Sequence, residues 1–333
     1  MSPAKGSPAV QVTSPGPVDE HCRARPAEPL RPYVAWYTGY RQRGVPPARH
    51  RGLPSPFLTF IVTLDEPLVI LAHPDPGQRP GSFATLLGGL HSAPALIAHE
   101  GAQSGIQVAL RPLGTRALLG FPAGELAEID VPAEAVLRDL CSELRARVLA
   151  ATAWPERFAV VDEILLRRIN VAPAAARPGV APEVGWAWRQ LLTSGGAILV
   201  SDLAEQTGWS GRHLASRFRT EIGLTPKAAA RVIRFNRARH LLARQVAAAA
   251  PGPGPGPVPG PGPGPGPSPS PSPGGGYRLA DLAATCGYFD QAHLAREFNA
   301  LAGCPPSQWL AEEFRNVQAA DDLAGGTWVD RTW

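Results

Sequence analysis

Ser201-Asp-Leu-Ala-Glu-Gln-Thr-Gly-Trp209 and Ala280-Asp-Leu-Ala-Ala-Thr-Cys-Gly-Tyr288 are two copies of one pattern, set 79 residues apart. Shortly afterwards the offset becomes 80: His213-Leu214-Ala215 matches His293-Leu294-Ala295, Phe218 matches Phe298, Gly223 matches Gly303 and Pro226 matches Pro306. Each copy has the anatomy of a helix-turn-helix. A short helix turns Leu203 and Ala204, or Leu282 and Ala283, inward. Gly208 or Gly287 ends it, because the tight turn wants a left-handed residue that Gly supplies without strain. Trp209 or Tyr288 plugs the angle. The second helix buries Leu214 and Phe218, or Leu294 and Phe298, at i, i+4 spacing. One such pattern is a weak signal; two in tandem with matched turns are a strong one.

What remains outward is a face that can enter a major groove. It comprises Arg212, Ala215, Ser216 and Arg219 in the first unit, and Gln291, Ala292, Ala295, Arg296 and Asn299 in the second. Between the units Pro226 opens a long helix to about Ala250, carrying Lys227, Arg231, Arg234, Arg237, Arg239 and Arg244. From Trp209 to Gln245 nine basic residues stand against one acid, Glu221, a local charge of +8. That is an electrostatic footprint for a phosphate backbone. Tyr277 to Gln318 holds three arginines against five acids, a net of −2. The first unit and the linker helix are thus expected to supply affinity, and the second unit to trim specificity.

From about Glu183 to Gln318 the chain resembles the DNA-binding domain of the AraC/XylS family of bacterial transcriptional regulators. Ala283-Ala-Thr-Cys-Gly-Tyr-Phe-Asp-Gln-Ala-His-Leu-Ala-Arg-Glu-Phe298, followed by Gly303-Cys-Pro-Pro-Ser307, carries the likeness most fully. The resemblance implies seven helices, with two recognition helices in successive major grooves on one face of double-stranded DNA. It places base-reading positions at Arg212, Ala215 and Ser216, then at Gln291, Ala292, Ala295 and Arg296. Phosphate contacts are expected from Arg219, Lys227, Arg231, Arg234 and Asn299. Ser216 departs from the family, where a longer polar or basic side chain is common.

A second departure is a tether. Pro251 to Gly276 contains 12 Pro, 10 Gly, 3 Ser and one Val, so it has nothing to bury and reads as a solvated spacer. A coil of that length spans roughly 28 Å and a fully extended one about 80 Å, against the ~34 Å between successive major grooves. Geometry therefore does not forbid both units docking on one DNA face. The organisation read from these features is a disordered leader (1–25), an N-terminal sensor or dimerisation region (26–172), a linker (173–182) and the DNA-binding region (183–318). The last divides into a first helix-turn-helix (200–221), a linker helix (226–250), the tether (251–276) and a second helix-turn-helix (279–301). A tail (319–333) follows, read as apolar from Gly326 to Trp333, with Trp328 and Trp333.

The N-terminal region reads as β-rich first and helical afterwards, giving an α+β chain. Tyr33–Tyr40, Leu58–Leu64, Leu68–Ala72, Phe83–Leu87 and Gly105–Leu110 are short β-branched or aromatic runs bounded by Pro and Gly. Such a series suggests a barrel or a sandwich, and the domain is read as barrel-like, cupin-like. Two helices follow, striped by Leu137, Cys141, Leu144 and Val148 and by Phe158, Val161, Leu165 and Ile169. The stripes either cover the barrel or form a homodimer seam across 134–170. Gly105-Ile-Gln-Val-Ala-Leu-Arg-Pro-Leu-Gly114 and Ala117-Leu-Leu-Gly-Phe-Pro122 are similar to the N-terminal segment of a subset of the same family, which implies a β-barrel-like sensor or dimerisation module, with a small-molecule effector as a candidate partner.

The remaining chemistry is sparse. His50, His73, His91 and His99 lack the close H-x-H spacing of a cupin metal site, and only His99-Glu100 comes near it. The cysteines Cys22, Cys141, Cys286 and Cys304 form no C-x-x-C pair, so neither a zinc site nor a disulfide framework is expected. No phosphate-binding Gly-rich loop, Ser-His-Asp order or H-E-x-x-H occurs. No apolar run approaches the ~18 residues of a membrane span, and the N-terminus has no signal-peptide core. The reading is a cytoplasmic, non-enzymatic regulator without cofactor or metal, acting on DNA and, through it, with RNA polymerase as a further partner. Its rivals are a metal- or small-molecule-handling barrel enzyme fused to a DNA module, and a sequence-indifferent architectural binder.

Overall fold

The computed structural model describes residues 16–170, 179–249 and 279–313. The expected tether, the first part of the leader, most of the 173–182 linker and the 319–333 tail lie outside the described residues. In chain order the strands are β1 (Val18–Ala24), β2 (Val34–Arg43), β3 (Ala48–Gly52), β4 (Leu58–Thr63), β5 (Leu68–Ala72), β6 (Gly81–Phe83), β7 (Thr85–Gly88), β8 (Ala95–His99), β9 (Ala102–Leu110) and β10 (Asp130–Pro132). They form two antiparallel sheets, one ordered β1-β2-β9-β4-β7-β10 and the other β3-β8-β5-β6.

Both sheets are open, which corrects the expected barrel-like, cupin-like closure. Among the described residues, β1 and β10 are unpaired edges of the six-stranded sheet, and β3 and β6 of the four-stranded one. The physical reason lies at the edges. β6 and β10 are three residues each, too short to carry a closing ladder, and Pro132 removes a donor from the β10 edge. β1 puts Asp19, Glu20 and Arg23 on the opposite edge, where charge discourages further pairing. The predicted Phe83–Leu87 strand is divided. Phe83 pairs with Leu68 in one sheet, while Thr85 pairs with Val62 in the other. The chain thus changes sheets around Ala84. β1 also begins inside the stretch read as a leader, and Cys22 there pairs with Gly39 of β2.

Alternation along the strands sorts residues to the two faces of the six-stranded sheet. Leu58, Phe60 and Val62 of β4 and Ile106, Val108 and Leu110 of β9 belong to the main core beneath the helices. Ile61 of β4 and Leu86 of β7 point the other way, meeting Leu68, Ile70 and Ile97 of the second sheet in a small core of their own.

The helices are α1 (Thr115–Leu118), α2 (Ala133–Leu137), α3 (Asp139–Ala150), α4 (Trp154–Asn170), α5 (Pro182–Thr193), α6 (Val200–Thr207), α7 (Gly211–Ile222), α8 (Pro226–Ala249), α9 (Leu279–Thr285), α10 (Gln291–Ala302) and α11 (Pro306–Glu313). The stripes of α3 and α4 lie in the main core, with Tyr37 stacked on Phe158 at 5.8 Å and its hydroxyl donating to Asp162 at 2.7 Å. Their apolar faces are therefore covered within the chain. Among the described residues, no helix is long and apolar enough to cross a membrane.

Candidate nucleic-acid interface

From Pro182 onwards, seven described helices build two helix-turn-helix units around α8. The repeated residues occupy equivalent places. Gly208 and Gly287 end the first helices at φ of 70° and 73°, the left-handed region the turn requires. Ser210 caps α7 by accepting the His213 amide at 3.2 Å, and Asp290 caps α10 by accepting the His293 amide at 2.6 Å. Trp209 meets the His213 ring edge-on at 4.5 Å, as Tyr288 meets His293 at 5.4 Å. Phe218 packs beside Trp188 of α5, whereas Phe298 lies between Phe235 of α8 and Trp309 of α11.

Most of the side chains read as outward are exposed. Arg212, Ser216 and Arg219 on α7 are exposed, as are Gln291, Ala292, Arg296 and Asn299 on α10 and Lys227 at the start of α8. Ala215 and Ala295 are half-buried. Arg231 and Arg234 stand apart from this set. Arg231 Nε donates to Glu297 of α10 at 2.7 Å, and Arg234 donates to the Gly196 carbonyl at 2.7 Å while lying over the Tyr288 ring. Both guanidinium groups brace α8 against its neighbours.

Two contacts that the sequence did not suggest fasten the units to the sheets. Arg116 of α1 makes a two-pronged bond to Glu221 at the end of α7, at 2.8 and 2.9 Å, and the Glu221 side chain is 1% exposed. A Cβ on Gly124 would collide with the carbonyls of Arg219 and Thr220, so the same helix end is closely seated. On the second unit, Arg51 of β3 donates to Glu313 through its backbone amide at 3.1 Å and its side chain at 2.6 Å, and to Glu312 at 2.8 Å.

A cavity of about 110 Å³ opens between the two sheets. Ile61, Leu68, Ile70, Leu86 and Ile97 form its apolar walls, and Asn236, Arg239 and His240 of α8 with Arg23 of β1 line it as well. Arg239 donates to Asn236 at 3.1 Å, and Arg23 lies over the Trp36 ring at 4.4 Å. Burial and the positive charges of Arg239, Arg244 and Arg23 hold the His240 imidazole well below its ordinary pKa. Burial, with His99 nearby, pushes His50 down to about 4. The other histidines of the sheet region have local partners: His73 donates to Asp130 at 2.7 Å, His91 to the Ala93 carbonyl at 2.5 Å, and His99 accepts the Gly101 amide at 3.2 Å. Among the described residues, no three His, Cys, Asp or Glu side chains gather as metal ligands would.

Residues 22–132 match a family described as a domain of unknown function, DUF6597. No curated protein sequence matches the chain. Among solved structures the chain is similar to ToxT from Vibrio cholerae O395, at 10% identity and a TM-score of 0.44, over 83% of this chain and 96% of that one. It is also similar to unsaturated fatty acid bound wild-type ToxT from strain SCE256, at 8% identity and 0.43, over 87% and 97%. The AraC-like transcriptional activator CuxR is a third, at 14% identity and 0.27, over 60% and 79%. At such scores the likeness carries no functional argument, and function is read from this chain's own residues.

Proposed function

We propose that the chain is a sequence-specific DNA-binding transcriptional regulator of the AraC/XylS type. The observation that carries this reading is the pair of matched helix-turn-helix units, each offering an exposed polar strip on its second helix. Arg212 and Ser216, then Gln291, Ala292 and Arg296, read base edges, while Arg219, Lys227 and Asn299 hold phosphates. Arg231 and Arg234 serve binding by keeping α8 in place between the units, since their guanidinium groups face protein acceptors.

The cavity is the effector site in this reading. Its apolar walls and the Arg23, Arg239 and His240 cluster suit a compact organic anion with an apolar body. About 110 Å³ is on the scale of a single ring, by comparison with an engineered cavity of ~150 Å³ that takes benzene. Because α8 lines the site and also carries both helix-turn-helix units, occupancy there bears directly on how the recognition helices are held.

Selection of full-length protein on random duplexes at ~150 mM salt, where non-specific phosphate binding is weakened, tests the central claim. Two enriched blocks about one helical turn apart are expected. A single block would leave one unit silent, and retention of DNA without enrichment would favour the architectural binder.

A further inference from the structure

The two units differ by one residue where the turn meets the second helix. In the first, Gly208 and Trp209 are followed directly by the N-cap Ser210; in the second, Phe289 is inserted between Tyr288 and the N-cap Asp290. This insertion is the physical content of the change in repeat offset from 79 to 80. The inserted side chain does no packing. Phe289 is 92% exposed, the highest value among the exposed large apolar residues described, while Tyr288 beside it is 5% exposed and fills the interhelical angle.

The backbone that presents the ring is nevertheless held. The Phe289 amide donates to His293 Nδ1 at 3.3 Å, the His293 amide donates to the Asp290 carboxylate at 2.6 Å, and the His293 ring packs edge-on against Tyr288. An apolar ring on a loose turn would only cost solubility. Here the backbone that carries the ring is held, so less freedom is lost when the ring meets a partner. Its sequence neighbours are the exposed Gln291 and Ala292 at the start of α10, the end of a recognition helix that approaches base edges. In the major groove the one apolar group a base pair presents is the thymine C5-methyl, and Phe is among the side chains that meet it.

We propose that Phe289 reads a thymine methyl group at the entry of α10 into the major groove. The inference rests on the DNA-binding reading and extends it. It gives the second unit, whose net charge of −2 offers little to phosphates, a specificity contact that needs no charge.

The test uses full-length wild type and Phe289→Ala on a duplex selected by the wild type. Each thymine is replaced in turn by deoxyuridine, which lacks only the methyl group. One position in the block read by the second unit is expected to weaken wild-type binding about three- to fivefold, the worth of one buried methyl. Phe289→Ala should bind the unaltered duplex more weakly by at least that factor and be indifferent to the replacement, so that the two losses do not add. Matching thermal midpoints verify that the variant folds. If Phe289→Ala binds as wild type does, the ring belongs to a protein partner and the proposal is overturned. If it binds more weakly but keeps the full deoxyuridine sensitivity, the ring touches sugar or phosphate, and the proposal is overturned again. If the wild type selects no sequence, the reading as a sequence-specific regulator falls first; selection by the wild type with an unaltered Phe289→Ala profile removes this inference alone.

Discussion

The two helix-turn-helix units share a skeleton and oppose each other in charge. Leu203, Leu214 and Phe218 in the first correspond to Leu282, Leu294 and Phe298 in the second, and all six are buried. Around that common interior, the stretch from Trp209 to Gln245 carries +8 and that from Tyr277 to Gln318 carries −2. The interior residues answer to packing, which asks for the same residue types in both units although the neighbours of Phe218 and Phe298 differ. The outward residues answer to a partner, and the two units meet different parts of it. Their attachment to the sheets differs as well. Glu221 is held by the Arg116 side chain, with Arg217 at 3.9 Å, whereas Glu313 is held by both the side chain and the backbone amide of Arg51.

The largest expected effects come from those attachments. Arg116→Ala strands the buried Glu221 carboxylate and should cost about 3 kcal/mol, read as a fall in the denaturant midpoint. Arg51→Ala leaves the backbone amide on Glu313 and should cost less, about 2 kcal/mol. Equal losses would mean that the backbone contact contributes nothing, and the contrast between the two anchors would be broken.

The next contrast separates reading from holding. Arg296→Ala should cost about 1–3 kcal/mol at one base position and leave other positions unchanged, measured by competition among single-base variants of the selected site. Lys227→Ala should weaken binding to every sequence alike and reduce the salt slope by about one. Arg231→Ala should change the salt slope less than Lys227→Ala, because its guanidinium faces Glu297. Equal slopes for the two would return Arg231 to the phosphate backbone. The smallest effect belongs to the tether. Removing 251–272 shortens the closing loop, which favours closure by ~1.5 kcal/mol at most, so the selected site should not change and affinity should not fall, rising by about tenfold at most.

Local signals made much of the helical region legible. The glycines that end each first helix and the i, i+4 apolar pairs are each read over a few residues, and the exposed strip follows from them by helical periodicity. The sheet region was less legible. β2, β4, β5 and β9 follow from apolar or β-branched runs, but β1, β3 and β10 are polar or very short, and their pairing is a property of distant partners. The division of the Phe83–Leu87 run between two sheets has no signal in its composition. The anchoring pairs, 105 residues apart for Arg116 and Glu221 and 262 for Arg51 and Glu313, were invisible for the same reason.

By itself, then, the sequence determined the two helix-turn-helix units, their turns and their charge asymmetry, because those rest on local conformation and on a repeat that can be aligned with itself. Tertiary structure alone decided that the sheets stay open and that a cavity forms between them. It also brought Arg239 and His240 of α8 to that cavity, turned Arg231 towards Glu297, and left Phe289 outside. Each of these depends on which side of an element faces a neighbour remote in sequence, or faces none, and no local propensity encodes that.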